Sequence, residues 1–256
     1  MGPIGLHGGG EFLPGDEPFI DALILRAAAA LDARSTSARA TRDVVGHVLA
    51  AEAIRVVMLP VAAARGRPEK AAQDGTDAFA RRGEALGHRV RTAVALVRDA
   101  ASADEADNAE LIALADLIYL PGGDPDLVPA ILRGSAAERS LFDAHGRGAL
   151  IAGASAGAMG LADWSWTPQG GIHGLGLVHG LVVVPHYDDI RRMSWQSSLD
   201  RVAPPGLGYL GLDERTGVIS DGDGWDVVGE GAAHWFAAGS TSPVTARDGE
   251  RLALPR

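Results

Sequence analysis

Short, continuous apolar runs alternate along this chain with longer stretches in which apolar and polar positions mix at helical spacing. Ile4 to Leu6, Ile54 to Leu59, Val90 to Val97, Leu117 to Leu120 and Ala149 to Ala152 read as strands. Of these, Ile54 to Leu59 reads as a buried strand. Between them, Asp16 caps a helix that carries Pro18 in its first turn and apolar positions through Leu31. Pro68 to Leu86 reads as a polar helix, and Asp104, Glu105 and Asp107 open another that reaches Ala115, their charges matching the helix dipole. Helical segments fill Asp126 to His145, while residues 33–52 stay ambiguous between loop and helix.

This β–α alternation predicts an α/β fold, a three-layer sandwich whose mostly parallel sheet is covered by helices on both faces. Beyond Pro205 the texture changes to short strands and turns: Gly208 to Leu212, Gly217 to Ser220, Trp225 to Val228 and Ala233 to Phe236. These are expected to be antiparallel strands finishing the C-terminal edge of the sheet. No repeat or linker interrupts the 256 residues, so residues 1–256 are expected to form a single domain.

Composition narrows the chemistry. The 34 glycines imply many tight turns, and the absence of cysteine removes disulfides, thiolate metal sites and a cysteine nucleophile. All but one of the 23 basic residues are Arg. The single lysine, Lys70, lies between Glu69 and Ala71 in a polar helical stretch, which excludes a lysine-bearing phosphate loop and leaves a Schiff base little room. A formal charge of −10 speaks against nucleic acid and anionic membranes as partners. The opening MGPIGLHGGGEFLPG has neither the basic start nor the apolar core of a signal peptide, Leu6 breaks a myristoylation pattern, and no membrane-spanning apolar run follows. A cytoplasmic protein is expected.

One segment carries recognisable chemistry. Ala149 to Met159 reads as an apolar strand, a Gly-x-Ser-x-Gly turn and a helix start. Small residues there permit a sharp turn that holds the Ser155 hydroxyl proud of the sheet, with the Ala156 amide facing the same space. Serine needs a base, and the base needs an orienting acceptor. Of the eight histidines, His186 directly follows the apolar run Leu181 to Val184 and Pro185, at the carboxyl end of a buried strand where open α/β sheets assemble their sites. His173 and His179, in a glycine-rich connection, stay open; His7 and His234 rank lower; His47, His88 and His145 sit in or beside polar helices and read as solvated. For the orienting acid, Asp213 and Glu214 are equivalent by spacing. Asp188 and Asp189 are too close to His186 along the chain, and a metal role for that cluster lacks a second suitably spaced histidine.

These motifs, in this order, resemble the serine peptidases that include cyanophycinase and dipeptidase E. The likeness runs from GGGE (Gly8 to Glu11) through PGGD (Pro121 to Asp124), GASAGAM (Gly153 to Met159), GLGL (Gly174 to Leu177) and PHY (Pro185 to Tyr187) to GLDERTG (Gly211 to Gly217). The resemblance implies a class I glutamine amidotransferase-like fold, Ser155 as nucleophile, His186 as base and Glu214 as the acid. It also implies an oxyanion hole from the backbone amides of Gly122, Gly123 and Ala156. The order Ser, His, Glu differs from the order in α/β-hydrolases.

Pro125 stands where cyanophycinases usually carry Gln, and the arginines after His186 are spaced differently, which argues against the cyanophycin polymer. The expected activity is serine exopeptidase hydrolysis of small peptides, including Asp or isoaspartyl dipeptides, through an acyl-enzyme. The alternatives are an amidase or esterase acting on a specialised small molecule, and a catalytically silent binding protein. Glu11 and Asp124 are candidates for a substrate ammonium, Arg191 and Arg192 for a carboxylate. Neither cofactor nor metal is expected, small peptides or amides are the expected partners, and a homodimer is compatible with the sequence.

Overall fold

The computed structural model describes residues 1–40, 53–167, 170–190, 195–220, 222 and 224–255. Its first half is built from β1 (Ile4–His7), α1 (Glu17–Ala40), β2 (Ile54–Met58), α2 (Pro68–Ala85), β3 (Val90–Val94), α3 (Ala100–Ala103), α4 (Ala106–Leu114) and β4 (Leu117–Leu120). There follow α5 (Leu127–Leu132), α6 (Ala136–Gly146), β5 (Leu150–Ala154), α7 (Ala156–Leu161), β6 (Trp164–Ser165), β7 (Ile172–His173), β8 (Leu181–Val184), α8 (Tyr187–Ile190) and α9 (Trp195–Leu199). The chain finishes in β9 (Gly208–Leu212), β10 (Thr216–Ser220), β11 (Trp225–Gly229), β12 (Ala232–Phe236), β13 (Val244–Arg247) and β14 (Arg251–Leu252).

The main sheet has eight strands in the order β14-β11-β10-β1-β5-β4-β2-β3. From β1 to β3 every neighbour is parallel, and β10, β11 and β14 add antiparallel partners at one side. Strand alternation divides the core into two. Ile54, Val56, Met58, Leu117, Tyr119, Leu150 and Ala152 face α1 and α2. Val57, Leu59, Ile118, Leu120 and Ile151 face the opposite way, toward α4 to α7.

One expectation is corrected here. β9 and β12 do not join the edge of the main sheet but form a second sheet, β13-β12-β9-β8, whose residues Leu181, Val183, Leu210 and Leu212 pack into the core on the α4 to α7 side. Both strands have a continuous apolar face to bury, and that face finds a better partner on the layer than at an edge. The expected helix over Asp104 to Ala115 is α4, with Glu105 at its N-cap and Ala115 at its C-cap, and the short α3 precedes it. Asp99 caps α3 by accepting the Ser102 amide at 2.8 Å, and the chain restarts at α4. Of the ambiguous stretch, residues 33–40 continue α1, and 41–52 lie outside the described residues together with His47.

His145 is also not the solvated residue expected. It is buried, and its Nε2 donates to the Gly2 carbonyl at 2.8 Å, tying the amino-terminal segment to α6. Burial holds its pKa below the ordinary histidine value, the bond to Gly2 opposing the shift and the terminal ammonium adding to it. No helix among the described residues is long and apolar enough to cross a membrane.

Candidate active site

The parallel register places the ends of β1, β5 and β4 at a common carboxyl edge, where the Gly8-Gly9-Gly10 turn, Ser155 and the Pro121-Gly122-Gly123 turn emerge side by side. Because β10 runs antiparallel to β1, with His7 opposite Gly217, the turn that feeds β10 arrives at this same edge. β8 and β9 are parallel, with Val184 opposite Gly211, so the segments leaving both strands, His186 and Glu214, also exit together. The topology thus converges three distant segments without any local sequence relationship between them.

Ser155 sits between β5 and α7 at φ 48° and ψ −115°, a conformation costing about 1–3 kcal/mol for a non-glycine residue. Its amide donates to the His7 carbonyl at 2.9 Å, and its carbonyl accepts from Met159 at 2.9 Å, which fixes the strand-to-helix turn from both sides. Gly157 makes the sharp bend possible: a Cβ there would lie 2.1 Å from the Leu120 carbonyl oxygen.

His186 also has a positive φ, 50°, and its amide donates to the Gly8 carbonyl at 2.8 Å. Its ring lies against the glycine turn so closely that a Cβ on Gly9 would be 2.2 Å from Cε1. Ser155 Oγ is 3.0 Å from His186 Nε2, and His186 Nδ1 is 2.8 Å from Glu214 Oε1. One tautomer satisfies both contacts, with Nδ1–H donating to the carboxylate and Nε2 accepting from the serine hydroxyl. The His186 and Glu214 side chains are 39 % and 32 % exposed, so the line of groups opens to solvent at one end.

The neighbouring acid has a different environment. Asp213 is buried, its Oδ2 accepts the Ala232 amide at 3.0 Å, and its Oδ1 faces His234 Nε2 at 3.4 Å. It directly follows β9 and bonds to the first residue of β12, whereas the contact to His186 is made by Glu214. Asp188, set aside as an orienter of His186, instead accepts the Glu214 amide at 3.1 Å.

A buried pair missed in the sequence lies beneath the glycine turn. His7 Nε2 meets Asp16 Oδ1 at 3.0 Å, both side chains being essentially inaccessible. Asp16 Oδ2 also accepts the Phe12 amide at 2.8 Å, holding Phe12 at φ 64°. The available signal was a histidine at the end of an apolar strand facing a helix-capping aspartate across a turn. Next to it, burial, and then the carboxylates of Asp16 and Glu11, raise the Tyr119 phenol well above its ordinary value.

Of the other expected residues, Glu11 reaches the site and accepts the Gly122 amide through Oε1 at 2.8 Å. Asp124 faces Arg65 at 3.7 Å and is half exposed, an alternative partner that weakens its expected role toward an ammonium. Gly123 packs on the Ala62 backbone at φ 155°. Arg191 and Arg192 lie outside the described residues. His179 pairs with Asp163 at 2.8 Å, in the connection after β7. Among the described residues no group of three or more His, Asp or Glu side chains is arranged to hold a metal.

A parallel sheet with a strained serine at the carboxyl end of a central strand, backed by histidine and a carboxylate, defines a hydrolase class. The sequence model of peptidase family S51 matches residues 25–228, and the chain belongs to that family of serine peptidases. In structure it is similar to a peptidase from an acI-B1 Actinobacterium, with a TM-score of 0.76 and 23 % identity over 99 % of this chain and 97 % of that one. A putative peptidase E protein from Listeria monocytogenes EGD-e is similar at a TM-score of 0.54 and 16 % identity, over 90 % of this chain and 98 % of that one. No curated protein matches in sequence.

Proposed function

We propose that the protein is a cytoplasmic serine exopeptidase that hydrolyses small peptides, Asp- or isoaspartyl-containing dipeptides among them. The observation that carries the reading is the pair of contacts joining Ser155 Oγ, His186 Nε2, His186 Nδ1 and Glu214 Oε1, at 3.0 and 2.8 Å. Ser155 attacks the peptide carbonyl while His186 Nε2 takes the hydroxyl proton. The carbon–nitrogen bond then breaks, and the proton passes to the departing amine. Water attacks the resulting acyl ester, returns a proton through His186 to Ser155 Oγ and frees the acid. Glu214 keeps the ring in the productive tautomer and stabilises the imidazolium. On this reading the amides of Ala156 and of the Gly122-Gly123 turn are assigned to the developing oxyanion, where preorganised donors are worth most, although Glu11 Oε1 holds the Gly122 amide in the free protein. No cofactor enters this sequence of steps.

The test is a dipeptide panel containing α-Asp, β-Asp and non-acidic members, each with free and blocked termini, assayed with wild type and Ser155→Ala. Hydrolysis of short free-terminus peptides that disappears in the variant is the expected result. Efficient internal cleavage of a long, doubly blocked peptide overturns the exopeptidase reading. Retention of a tenth of the activity in Ser155→Ala overturns the nucleophile.

A further inference from the structure

The carboxylate of Glu11 occupies an unusual place for a site that must stabilise negative charge. Its Oε1 takes the Gly122 amide at 2.8 Å. A Cβ built on Gly122 would lie 2.9 Å from that oxygen and 3.2 Å from Ser155 Cβ, so Glu11 and Ser155 border the same side of the glycine. Among the described residues Glu11 has no ion pair, whereas Asp124 has Arg65 and Glu214 has His186. An anion held there repels a tetrahedral oxyanion forming on the carbon that Ser155 attacks, and it withholds an amide that would otherwise donate to it.

Building on the proposed exopeptidase chemistry, we propose that Glu11 is an ammonium-reading latch on the Gly122 amide. In the resting state the carboxylate sits on Gly122. A substrate with a free amino terminus offers its ammonium to the carboxylate, which turns to meet it and leaves the Gly122 N–H for the oxyanion. A neutral amino terminus offers nothing to compensate the broken bond, so the amide stays taken. Recognition of the free terminus and completion of the oxyanion site are then one event.

The backbone is built to let only the side chain move. Asp16, about fully buried, clamps the Phe12 amide and His7, and the Leu13 amide donates to the Gly10 carbonyl at 3.4 Å. The turn carrying Glu11 is therefore fixed on both sides, while Glu11 itself is only partly buried and has rotamers to use. A carboxylate–ammonium hydrogen bond is among the stronger ones in a partly desolvated site, which makes the exchange of partners favourable.

The experiment compares wild type, Glu11→Ala and Ser155→Ala with two probes. The first is a neutral alkyl fluorophosphonate, which carries no ammonium and whose phosphoryl oxygen seeks the oxyanion amides. The second is a pair of alanyl p-nitroanilides, one with a free amine and one N-acetylated. Glu11→Ala is expected to label about tenfold faster with the fluorophosphonate, to lose about 10- to 100-fold in kcat/KM on the free-amine nitroanilide, and to gain on the acetylated one. Equal losses on both nitroanilides, or unchanged labelling, overturn the latch. Labelling that persists in Ser155→Ala, or none in any protein, instead overturns the serine mechanism on which the latch rests. Circular dichroism of Glu11→Ala separates misfolding from a change at the site, and Glu11→Gln, which keeps a group able to accept the Gly122 amide without the charge, is expected to lose the free-amine preference without the gain in labelling. Faster labelling in Glu11→Gln than in Glu11→Ala contradicts the blocking role of the carbonyl oxygen.

Discussion

Asp188 Oδ1 accepts the backbone amide of Glu214 at 3.1 Å, so the residue two places after His186 secures the backbone of the acid that His186 meets. The histidine and the carboxylate come from different strands of the second sheet, and this bond links the two turns directly. Asp188 acts on the reaction only through Glu214, as a positioning residue.

Asp188→Ala is expected to lower kcat about 10- to 100-fold with little change in KM, because a displacement of about 1 Å at Glu214 misorients the imidazole. Asp188→Asn keeps an acceptor oxygen and is expected to restore most of the rate. Steady-state kinetics on the best dipeptide of the panel check both variants. An Asn variant as impaired as the Ala variant would show that the charge, not the amide bond, matters.

Adjacent acids Asp213 and Glu214 are expected to give opposite signatures. Glu214→Gln loses on the order of 10²- to 10⁴-fold in kcat by analogy with other triads, and its thermal stability stays near that of wild type. Asp213→Ala strips the Ala232 amide of its acceptor inside the second sheet and is expected to cost about 1–3 kcal/mol of stability while leaving most activity at low temperature. Urea unfolding and kinetics on the same preparations separate the two, and matched losses of activity contradict the assignment.

Gly9→Ala is expected to be folded and about 100-fold less active or worse, since the new methyl would lie 2.2 Å from His186 Cε1 on a backbone at φ 117°. The ring is the movable partner. Retained activity would mean that the ring position against this turn is unimportant to turnover, and the comparison needs only circular dichroism and a rate.

How far the sequence reaches depends on whether a relationship is local. The turn around Ser155 is legible because every element of it, apolar strand, paired glycines and small-residue helix, lies within a few residues. The parallel strands β1, β4 and β5 are legible from uninterrupted apolar runs, and β2 and β3 from mainly apolar ones broken by Arg55 and by Arg91 and Thr92. By contrast, spacing leaves Asp213 and Glu214 equivalent, and what separates them is that β9 pairs with β12, with Leu212 opposite Ala233. That pairing directs Asp213 to the Ala232 amide and turns Glu214 toward the main sheet. The same non-local step hides the second sheet, because an apolar strand carries no mark of which sheet receives it. Glu11 was legible as a charge near the site but not as a partner of Gly122, which depends on the alignment of β1 with β5 and β4.

His145 departs from the solvated expectation for a related reason: local polarity describes the helix it stands on and not the segment that docks over it. Its burial has a consequence for pH. The folded-state pKa is held below the ordinary value near 6.5, so the unfolded chain binds a proton more readily than the native protein. Stability from this residue is therefore fully present above pH 6.5, declines as pH falls below it, and stops declining once pH passes the lower native value. Gln at this position keeps an amide N–H for the Gly2 carbonyl and has no proton to gain. His145→Gln is expected to unfold with a shallower loss of midpoint between neutral and mildly acidic pH than wild type, measured by urea titration at several pH values. Parallel curves for the two proteins would show that the acid-side loss originates elsewhere, and a steeper curve for the variant would reverse the sign of the argument.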